Sequence, residues 1–196
     1  MNKREEQKKH TRQRLLIAAA TCFAEKGYSG CSVADIATRA GVSQGNLYVH
    51  FKNKEHLFQA MIEEEHQQGA QKAKQAANST HFLQGIITLM TDCIRDVGFP
   101  IDHRLWTEIL AVCARDESIR QTFVSSDQAM REVFIDLLKK AANAGEIDHS
   151  LDFNSVSIWL YALIDGLIAR TANDTNFEFQ QHLNVFETLV KRALKP

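Results

Sequence analysis

The chain has 196 residues, of which 44% are apolar and 24% charged, and it contains two prolines. This composition is typical of a globular protein with one domain of ordinary size, or with a small domain and a larger one. The charged opening has no apolar run behind it, and no stretch of about 18 uncharged apolar residues follows. We therefore expect neither a signal peptide nor a membrane-spanning helix.

Charge is distributed unevenly along the chain, although the formal net charge is −1. Residues 1–60 contain ten Lys or Arg and five Asp or Glu, a net charge of +5, whereas the remainder carries −6. A basic N-terminal region on an acidic body is typical of a protein that contacts nucleic acid with one end. A membrane-surface role is less favoured, because the basic residues do not form one face opposite a wide apolar face.

The four cysteines, Cys22, Cys31, Cys93 and Cys113, form no Cys-x-x-Cys pair. They fall within predicted helices or beside a helix start, which predicts reduced thiols in a cytoplasmic protein and argues against a zinc site. Alternating β-branched runs and hairpin turns are almost absent, so the sequence predicts an all-α fold.

The chain opens with a basic segment, residues 1–8, which we interpret either as a mobile arm that reaches a DNA minor groove or as a frayed terminus. Helix 1 is predicted from about His10 to Lys26 by an apolar stripe at helical spacing, and Gly27 ends it. We expect this helix to brace the two short helices that follow.

The segment from Ser32 to Lys54 has the pattern of two short helices joined by a tight turn. Ser32 and Asp35 are spaced as a capping box, and Gly41 can end the first helix in a left-handed conformation. Ser43 can cap the second helix. Such a pair forms a helix-turn-helix, whose second helix enters the DNA major groove.

Polar side chains on the second helix suit that role. Gln44 and Asn46 can each form two hydrogen bonds with an adenine edge, and Gly45 lets the backbone approach the duplex. Nearby hydroxyl, imidazole and ammonium groups can bind phosphates, which set the register. The predicted DNA-binding residues are Ser32, Ser43, Gln44, Gly45, Asn46, Tyr48, His50, Lys52 and Lys54.

Residues 9 to about 69 resemble the N-terminal domain of the TetR family of bacterial repressors. The matching positions lie in one register and are Ala18, Ala19, Phe23, Gly27, Tyr28, Ser32, Ile36, Ala37, Ala40, Gly41, Val42, Ser43, Gly45, Leu47, Tyr48, His50, Phe51, Lys54 and Leu57. Cys31 is a small departure, because the family often has a small or hydroxylated residue there. The alternative is a helical corner that only packs a core, and we expect a core role for Val33, Ile36, Leu47 and Phe51.

We therefore predict a helix-turn-helix DNA-binding domain of three helices in residues 9–69, with the reading unit at about 32–52, and a helical ligand-binding and dimerisation domain in residues 70–196. About nine helices are expected. From Lys54 onward, apolar spacing predicts helices over about 54–77, 80–97, 101–115, 125–144, 152–172 and 176–194, with a short helix from Asp116 toward Phe123. Gly69 is interpreted as a bend or as a tolerated helix glycine.

The last two predicted helices are apolar on more than one face, which requires a second packing partner. That partner is most simply another copy of the chain, in a four-helix interface with two-fold symmetry. A helix fully buried within one subunit is the alternative. The resemblance agrees with a homodimer, since TetR proteins dimerise through their last two helices. The predicted interface residues are Trp159, Ala162, Gly166, Phe179, Phe186 and Leu189.

The expected function is a ligand-responsive repressor that binds a palindromic DNA operator as a dimer. An unknown small-molecule inducer in the C-terminal bundle would shift helix 4 and change the distance between the two reading units. The pocket candidates are Met61, His66, Met90, Ile94, Phe99, Trp106, Ile109, Leu110, Phe123, Met130, Phe134 and Trp159. For each of them, an ordinary core position is the alternative.

Three other classes of function are less favoured. Two Glu-x-x-His segments, starting at Glu63 and Glu146, have the spacing found in di-iron bundles, but Gly145 should place the second in a loop. A thiol sensor at Cys93 or Cys113 needs an exposed thiolate, and we expect both to be buried. An architectural protein would bind all DNA weakly. Because the common catalytic motifs do not occur, we expect no enzyme, no catalytic residue, no metal and no cofactor.

Overall fold

The computed structural model describes residues 3–195 as nine helices without a strand, which confirms the predicted all-α fold. The helices are α1 (Lys3–Gly30), α2 (Val33–Ala40), α3 (Gln44–His50), α4 (Lys54–Ala76), α5 (Phe82–Arg95), α6 (His103–Cys113), α7 (Glu117–Asn143), α8 (Phe153–Asn173) and α9 (Phe179–Leu194). α1 packs against α2, α4 and α6, and α2 packs against α3, whereas α4 to α8 form a bundle in which α4 contacts α5 and α7, and α9 packs against α5. The predicted division near residue 69 falls inside α4, which is continuous.

The helix boundaries of the reading unit follow the predicted capping chemistry. The Ser32 hydroxyl accepts a hydrogen bond from Asp35 N, and the Asp35 side chain accepts one from Ser32 N in return. Gly41 is left-handed at φ 65°, and Ser43 caps α3 by accepting from Asn46 N. These groups satisfy backbone donors that helix ends leave free, so the boundaries are encoded locally.

The first helix starts earlier than predicted. Residues 3–8 form its opening turns, with Glu5 and Glu6 near the positive end of the helix dipole, so the mobile-arm interpretation is wrong for these residues. Residues 1 and 2 lie outside the described residues. At its other end, the chain leaves helical geometry at Gly27, with φ 71°, as predicted.

α7 is one continuous helix where the sequence predicts a short helix followed by a longer one. Its 27 residues contain neither glycine nor proline. The hydroxyls of Ser125 and Ser126 both donate to the carbonyl of Thr122, so they bond within the helix and do not interrupt it.

α4 and α7 pack closely at Gly69. A Cβ added at this position would lie 2.6 Å from the Met130 sulfur. Glycine at this position therefore permits the close approach of two helices. This role differs from both predicted interpretations, a bend in the helix and a glycine that the helix merely tolerates.

Two cysteines correct the expectation that all four thiols are reduced. Cys22 and Cys31 form a disulfide, with a sequence separation of 9, because the chain turns back after Gly27 and brings the start of α2 beside α1. Cys93 and Cys113 are free, and burial raises the pKa of each thiol to about 11. Both therefore stay protonated near neutral pH, which disfavours thiolate sensing.

α8 is long and apolar enough to cross a membrane, judged by length and composition. A single helix of this kind is weak evidence, because helices of globular proteins also pass the test. Since 22% of its most apolar window is buried within the subunit, a large part of its apolar surface is uncovered. This surface requires another partner.

Candidate nucleic-acid interface and effector cavity

α3 presents a polar face outward from a buried apolar one. Leu47 is fully buried, and the helix ends at the buried Phe51. Gln44, Gly45 and Asn46 are exposed at the first turn. Tyr48 and Val49 are also exposed, at 52% and 68%. The predicted base-contacting residues thus share one accessible surface. Val49, which the sequence reading missed, adds an apolar group that suits a thymine methyl.

The two predicted DNA-binding serines stand at helix starts. Ser32 caps α2 and Ser43 caps α3, and both residues are exposed. Their capping bonds orient the hydroxyls and fix the first turns of both helices. DNA contact by these hydroxyls stays a prediction.

Lys54 has a structural role in addition to the predicted phosphate contact. Its ammonium donates to the carbonyls of Tyr28 at 2.7 Å and Cys31 at 3.0 Å, and it lies 4.5 Å from the Tyr28 ring centroid. Burial lowers the pKa of this amine. Lys54 thus joins α4 to the end of α1 and to Cys31, and phosphate contact by its remaining N–H stays a prediction. Lys52 is exposed beside it.

The first turns of α1 bring positive charge to the end of α3. Burial lowers the pKa of His50, and the charges of Lys8 and Arg12 lower it further. Arg12 also pairs with Glu64 at 2.9 Å and lies 5.4 Å from the centroid of the Phe51 ring. Lys8 and Arg12 are four residues apart, so they lie on the same face of α1 once this helix is extended to residue 3. This spacing is the signal in the sequence that predicts the basic cluster.

Hydrogen bonds join the N-terminal part of the protein to the bundle at two further places. The carboxylate of Glu108, on α6, accepts from Tyr28 N at 2.6 Å. Ser118, at the start of α7, donates to Glu55 at 2.7 Å and accepts from Gln59 at 3.0 Å. α6 is therefore joined to the end of α1, and α7 to the start of α4.

A cavity of about 330 Å³ lies among α4, α5, α6, α7 and α8. Its size is at the lower end of the range for small-molecule sites. It is lined by Glu65, His66, Gly69, Leu89, Cys93, Val97, Trp106, Phe123, Asp127, Met130, Arg131, Ile158, Tyr161, Ala162, Ile164, Asp165 and Ile168. We refer to it as the α4–α8 cavity.

Four of the predicted pocket residues line this cavity, namely His66, Trp106, Phe123 and Met130. The other eight are corrected, because apolar periodicity marks the inner face of a helix and not the position of a void. Most of them are core residues, namely Met61, Met90, Ile94, Ile109 and Phe134, with Leu110 half-buried. Phe99 and Trp159 are exposed at 64% and 75%. Met61 and Phe99 also border a separate void of about 10 Å³, room for one water at most.

Sequence reasoning missed the charged wall of the cavity, formed by Glu65, Asp127, Arg131 and Asp165. Asp127 and Arg131 pair at 2.8 Å, and Asp165 accepts a hydrogen bond from the Trp106 indole at 2.9 Å. The signal in the sequence that could have predicted this charged wall is Asp165, an acidic residue within the apolar run of α8.

Burial controls the protonation of the groups in this wall. It raises the pKa of Glu65 to about 8, which the charges of Asp165 and Asp127 reinforce and that of Lys72 opposes. It raises the pKa of Asp165 to about 6 and lowers that of His66 to about 4. At neutral pH the empty cavity therefore holds a protonated Glu65 and a neutral His66.

The second Glu-x-x-His segment has a structural role. The Glu146 carboxylate accepts a hydrogen bond from Leu83 N at 2.7 Å, so it caps the start of α5. Across residues 3–195, no group of three or more His, Cys, Asp or Glu side chains is placed to hold a metal ion.

α8 and α9 carry large apolar side chains that are exposed, and we refer to these side chains together as the α8–α9 face: Ile158, Trp159, Leu163, Val185 and Leu189. Of the predicted interface residues, Trp159, Ala162, Gly166 and Leu189 are exposed on these helices. Phe179 and Phe186 are corrected, because both are buried within the subunit with ring centroids 5.4 Å apart. They face the bundle core, so they are not available to a second copy.

A capped helix-turn-helix joined by one long helix to a helical bundle with an internal cavity defines the class of ligand-responsive DNA-binding regulators. Sequence comparison agrees with this class. The family described as bacterial regulatory proteins, tetR family, matches residues 15–61, and the BetI-type transcriptional repressor C-terminal family matches residues 94–195. The chain belongs to the TetR family of bacterial transcriptional regulators.

Individual relatives extend over nearly the whole chain. The repressor AcnR of Corynebacterium diphtheriae is 28% identical over 188 residues, which cover 93% of this chain and 92% of AcnR. TtgR of Pseudomonas putida is 26% identical, over 84% of this chain and 81% of TtgR. The structure of Salmonella enterica GusR matches with a TM-score of 0.79 at 22% identity, covering 94% of this chain and 95% of GusR. The structure of Bacillus subtilis FadR in complex with stearoyl-CoA matches with a TM-score of 0.76 at 21% identity, covering 92% of this chain and 98% of FadR.

These relationships confirm the predicted family and the predicted function of a ligand-responsive DNA-binding repressor. They also confirm that the chain is a regulator and not an enzyme, since its family is one of transcriptional regulators.

Proposed function

We propose that this repressor binds a roughly palindromic operator as a homodimer, and that a small molecule in the α4–α8 cavity releases it. The observation that carries the proposal is the course of α4. This helix begins against the reading unit at Lys54 and supplies Glu65 and His66 to the cavity wall, without interruption between them. A displacement of α4 at the cavity would therefore reach the DNA-binding helices.

The uncovered α8–α9 face supports the homodimer. Trp159 is exposed at 75% and Leu189 at 59%, and large apolar side chains left uncovered on the last two helices suit a protein interface. A Cβ added at Gly166 would meet nothing within 4 Å, so this position is open to a second helix. Two-fold packing would place two copies of α3 on one side of the dimer, which suits successive major grooves.

For DNA reading, we propose that Gln44 and Asn46 contact base edges, while Lys52 and the basic start of α1 bind phosphates. The exposure of Gln44, Asn46 and Lys52, and the proximity of Lys8 to His50, support this division. Base contacts would set specificity, and phosphate contacts would set register and salt dependence.

Release would follow from a difference in effector affinity between two dimer geometries. The contact of Ser118 with Glu55 would let α7 follow the movement of α4, and the contact of Glu108 with Tyr28 would connect α6 to α1. Couplings are typically about 1–3 kcal/mol per site. Two sites per dimer would approach the roughly 5.5 kcal/mol needed for a near-complete change in population. A cytoplasmic location is part of the same proposal.

The proposal is tested with the purified full chain by light scattering and fluorescence anisotropy. We expect a dimer that prefers the promoter region of its own gene over scrambled duplex by roughly 10³-fold or more. Selection of bound genomic fragments would then define the operator. A monomer with equal affinity for both duplexes would contradict the proposal.

A further inference from the structure

We infer that the effector of this repressor is an organic ammonium ion with an apolar body, whose N–H groups bind Glu65 and His66 in the α4–α8 cavity. This inference rests on the proposed function, because it treats the cavity as the effector site. It adds the chemical class of the ligand and the two acceptors that recognise it.

The cavity wall contains two buried polar atoms that need partners. Among the described residues, Glu65 Oε2 and His66 Nε2 belong to the few buried side-chain atoms without a hydrogen bond. The His66 side chain is 2% exposed and that of Glu65 is 12% exposed, and the two atoms lie 3.7 Å apart. An unsatisfied buried polar atom costs roughly 1–3 kcal/mol, so a ligand that pairs with both would recover this cost.

Both atoms can accept hydrogen bonds from a cation, Glu65 as the carboxylate and His66 as the neutral imidazole. His66 Nδ1 lies 2.6 Å from the Ser126 hydroxyl, and the single hydrogen of that hydroxyl has the carbonyls of Thr122 and Phe123 as acceptors at 2.9 and 3.2 Å. With this hydrogen on a carbonyl, the Ser126 oxygen accepts from Nδ1–H, and Nε2 of the neutral imidazole is an acceptor without a partner. A ligand with two or more N–H groups on one cationic nitrogen fits this pair, whereas a quaternary ammonium has no hydrogen to donate.

The acids of the cavity wall favour a cation over an anion. Arg131 is already paired with Asp127, so the two acids left in the wall are Asp165 and Glu65, and Glu65 gains its charge when a cation binds. A carboxylate or phosphate would face these two acids without a free cationic partner in the cavity wall. The volume of about 330 Å³ has room for an organic cation.

The rest of the wall suits an apolar body. The rings of His66 and Phe123 lie with centroids 4.9 Å apart, and those of Trp106 and Phe123 are at 5.9 Å. Leu89 and Ile168 complete this side of the cavity. Aromatic faces also attract ammonium groups, which adds to the preference for a cation.

Binding of an ammonium ion should release a proton from Glu65, whereas binding of an uncharged apolar ligand should not. In the empty cavity Glu65 has a pKa of about 8, so it is protonated at neutral pH. Ammonium binding forms an ion pair with the Glu65 carboxylate and releases its proton to solvent, while the ammonium keeps its own hydrogens. The charged or titratable groups around Glu65 are His66 and Lys72 on α4, Cys93 on α5, Asp127 and Arg131 on α7, and Tyr161 and Asp165 on α8.

The test compares three probes that share one body and differ in head group: 4-phenylbutylammonium, 4-phenylbutanol and 4-phenylbutyrate. Calorimetry with the full chain should rank the ammonium first, by about tenfold or more over the alcohol, with no measurable binding of the carboxylate. Its affinity should rise from pH 6.5 to pH 9, with proton release seen as a dependence on buffer ionisation enthalpy. Glu65→Gln should lose the preference and the pH dependence, whereas Glu63→Gln, an exposed control on the same helix, should keep both.

Asp165→Asn provides a second variant and should reduce the ammonium preference by a smaller factor. Equal affinity for the ammonium and the alcohol, stronger binding of the carboxylate, or failure of the ammonium to bind would overturn the inference. Operator release is measured separately by anisotropy. Ammonium binding with the expected preference but without release would support the cation site and contradict the proposed effector role of the cavity.

Discussion

Single side chains of the same type have different roles here, according to the backbone groups that surround them. Lys52 is exposed at the end of the reading unit. Lys54, two residues later, donates to the carbonyls of Tyr28 and Cys31 and so joins α4 to the end of α1. Glu64 pairs with Arg12 in the DNA-binding part, while Glu65 faces the cavity. Adjacent positions on one helix thus serve the two halves of the protein.

The first prediction separates base reading from phosphate binding. Gln44→Ala should relax base preference at one position of each half-site, with a loss of about 1–3 kcal/mol for the preferred sequence. Lys52→Ala should weaken specific and random DNA alike and lower the salt slope by about 1. Anisotropy titrations at several salt concentrations measure both effects. If Gln44→Ala weakens specific and random DNA equally, the assignment of base contact is wrong.

The second prediction concerns stability and the protonation of Glu65. The folded protein retains this proton up to a pKa of about 8, compared with the ordinary value of 4.5, so between these pH values the folded state binds more protons than the unfolded state. The free energy of unfolding must therefore fall as pH rises through this interval. Glu65→Gln removes this loss and should be more stable than the native protein by about 2 kcal/mol or more at pH 8, but not at pH 4.

Urea unfolding at the two pH values measures the difference, with Glu63→Gln as the exposed control. Equal stabilities of the native protein and Glu65→Gln at pH 8 would show that Glu65 ionises freely in the folded state.

Among the helices, α4 and α6 connect DNA reading to the cavity in different ways. α4 runs through both parts as one uninterrupted helix, so a displacement at the cavity would also move its N-terminal end. α6 contributes Trp106 to the cavity wall and, half a turn further on, Glu108 to the backbone of Tyr28. A ligand against Trp106 can therefore act on the N-terminal helices through a second, separate contact.

The third prediction tests this contact. Glu108→Ala leaves Tyr28 N without its acceptor, and we expect a loss of about 1–3 kcal/mol in unfolding free energy. Operator affinity should also fall, because α1 would no longer be fixed to α6. Arg104→Ala, on the exposed side of the same helix, should change neither quantity. Urea unfolding and operator titrations decide the matter, and unchanged operator affinity in Glu108→Ala would exclude α6 as a connection.

For the molecule as a whole, the α8–α9 face adjoins the α4–α8 cavity. Ile158 and Ala162 border the cavity, and both are exposed on α8 beside Trp159. The cavity wall is therefore part of the helix that we propose as the dimer interface. A ligand in the cavity would act on subunit packing as well as on α4.

The fourth prediction uses two exposed valines as a matched pair. Val185→Glu places a charge on the α8–α9 face, and Val124→Glu places one on α7, where the native side chains are 61% and 54% exposed respectively. Val185→Glu should be monomeric and lose roughly 10²-fold or more in operator affinity, because paired binding of two half-sites is lost. Val124→Glu should remain a dimer with native affinity. Light scattering and anisotropy distinguish the two, and a dimeric Val185→Glu would move the interface elsewhere.

The helices and the reading unit could be predicted because their signals are local. Ser32, Gly41 and Ser43 act on backbone groups within a few residues, so the sequence places these helix ends correctly. The start of α1 was misplaced, because a charged segment without apolar periodicity looks the same in sequence whether it is helical or frayed.

By itself the sequence determined the helical class, the family and the helix ends of the reading unit, since capping, turn and periodicity signals act over a few residues. Only the tertiary structure showed that Lys54 bonds to the carbonyl of Tyr28 and that Cys22 forms a disulfide with Cys31. It alone also showed that Phe179 is buried within the subunit and that Glu65 lines a cavity. The physical reason is that a void and its electrostatics arise where several helices distant in sequence fail to fill the space between them. Helical periodicity reports which side of each helix is buried and carries no information about what lies opposite.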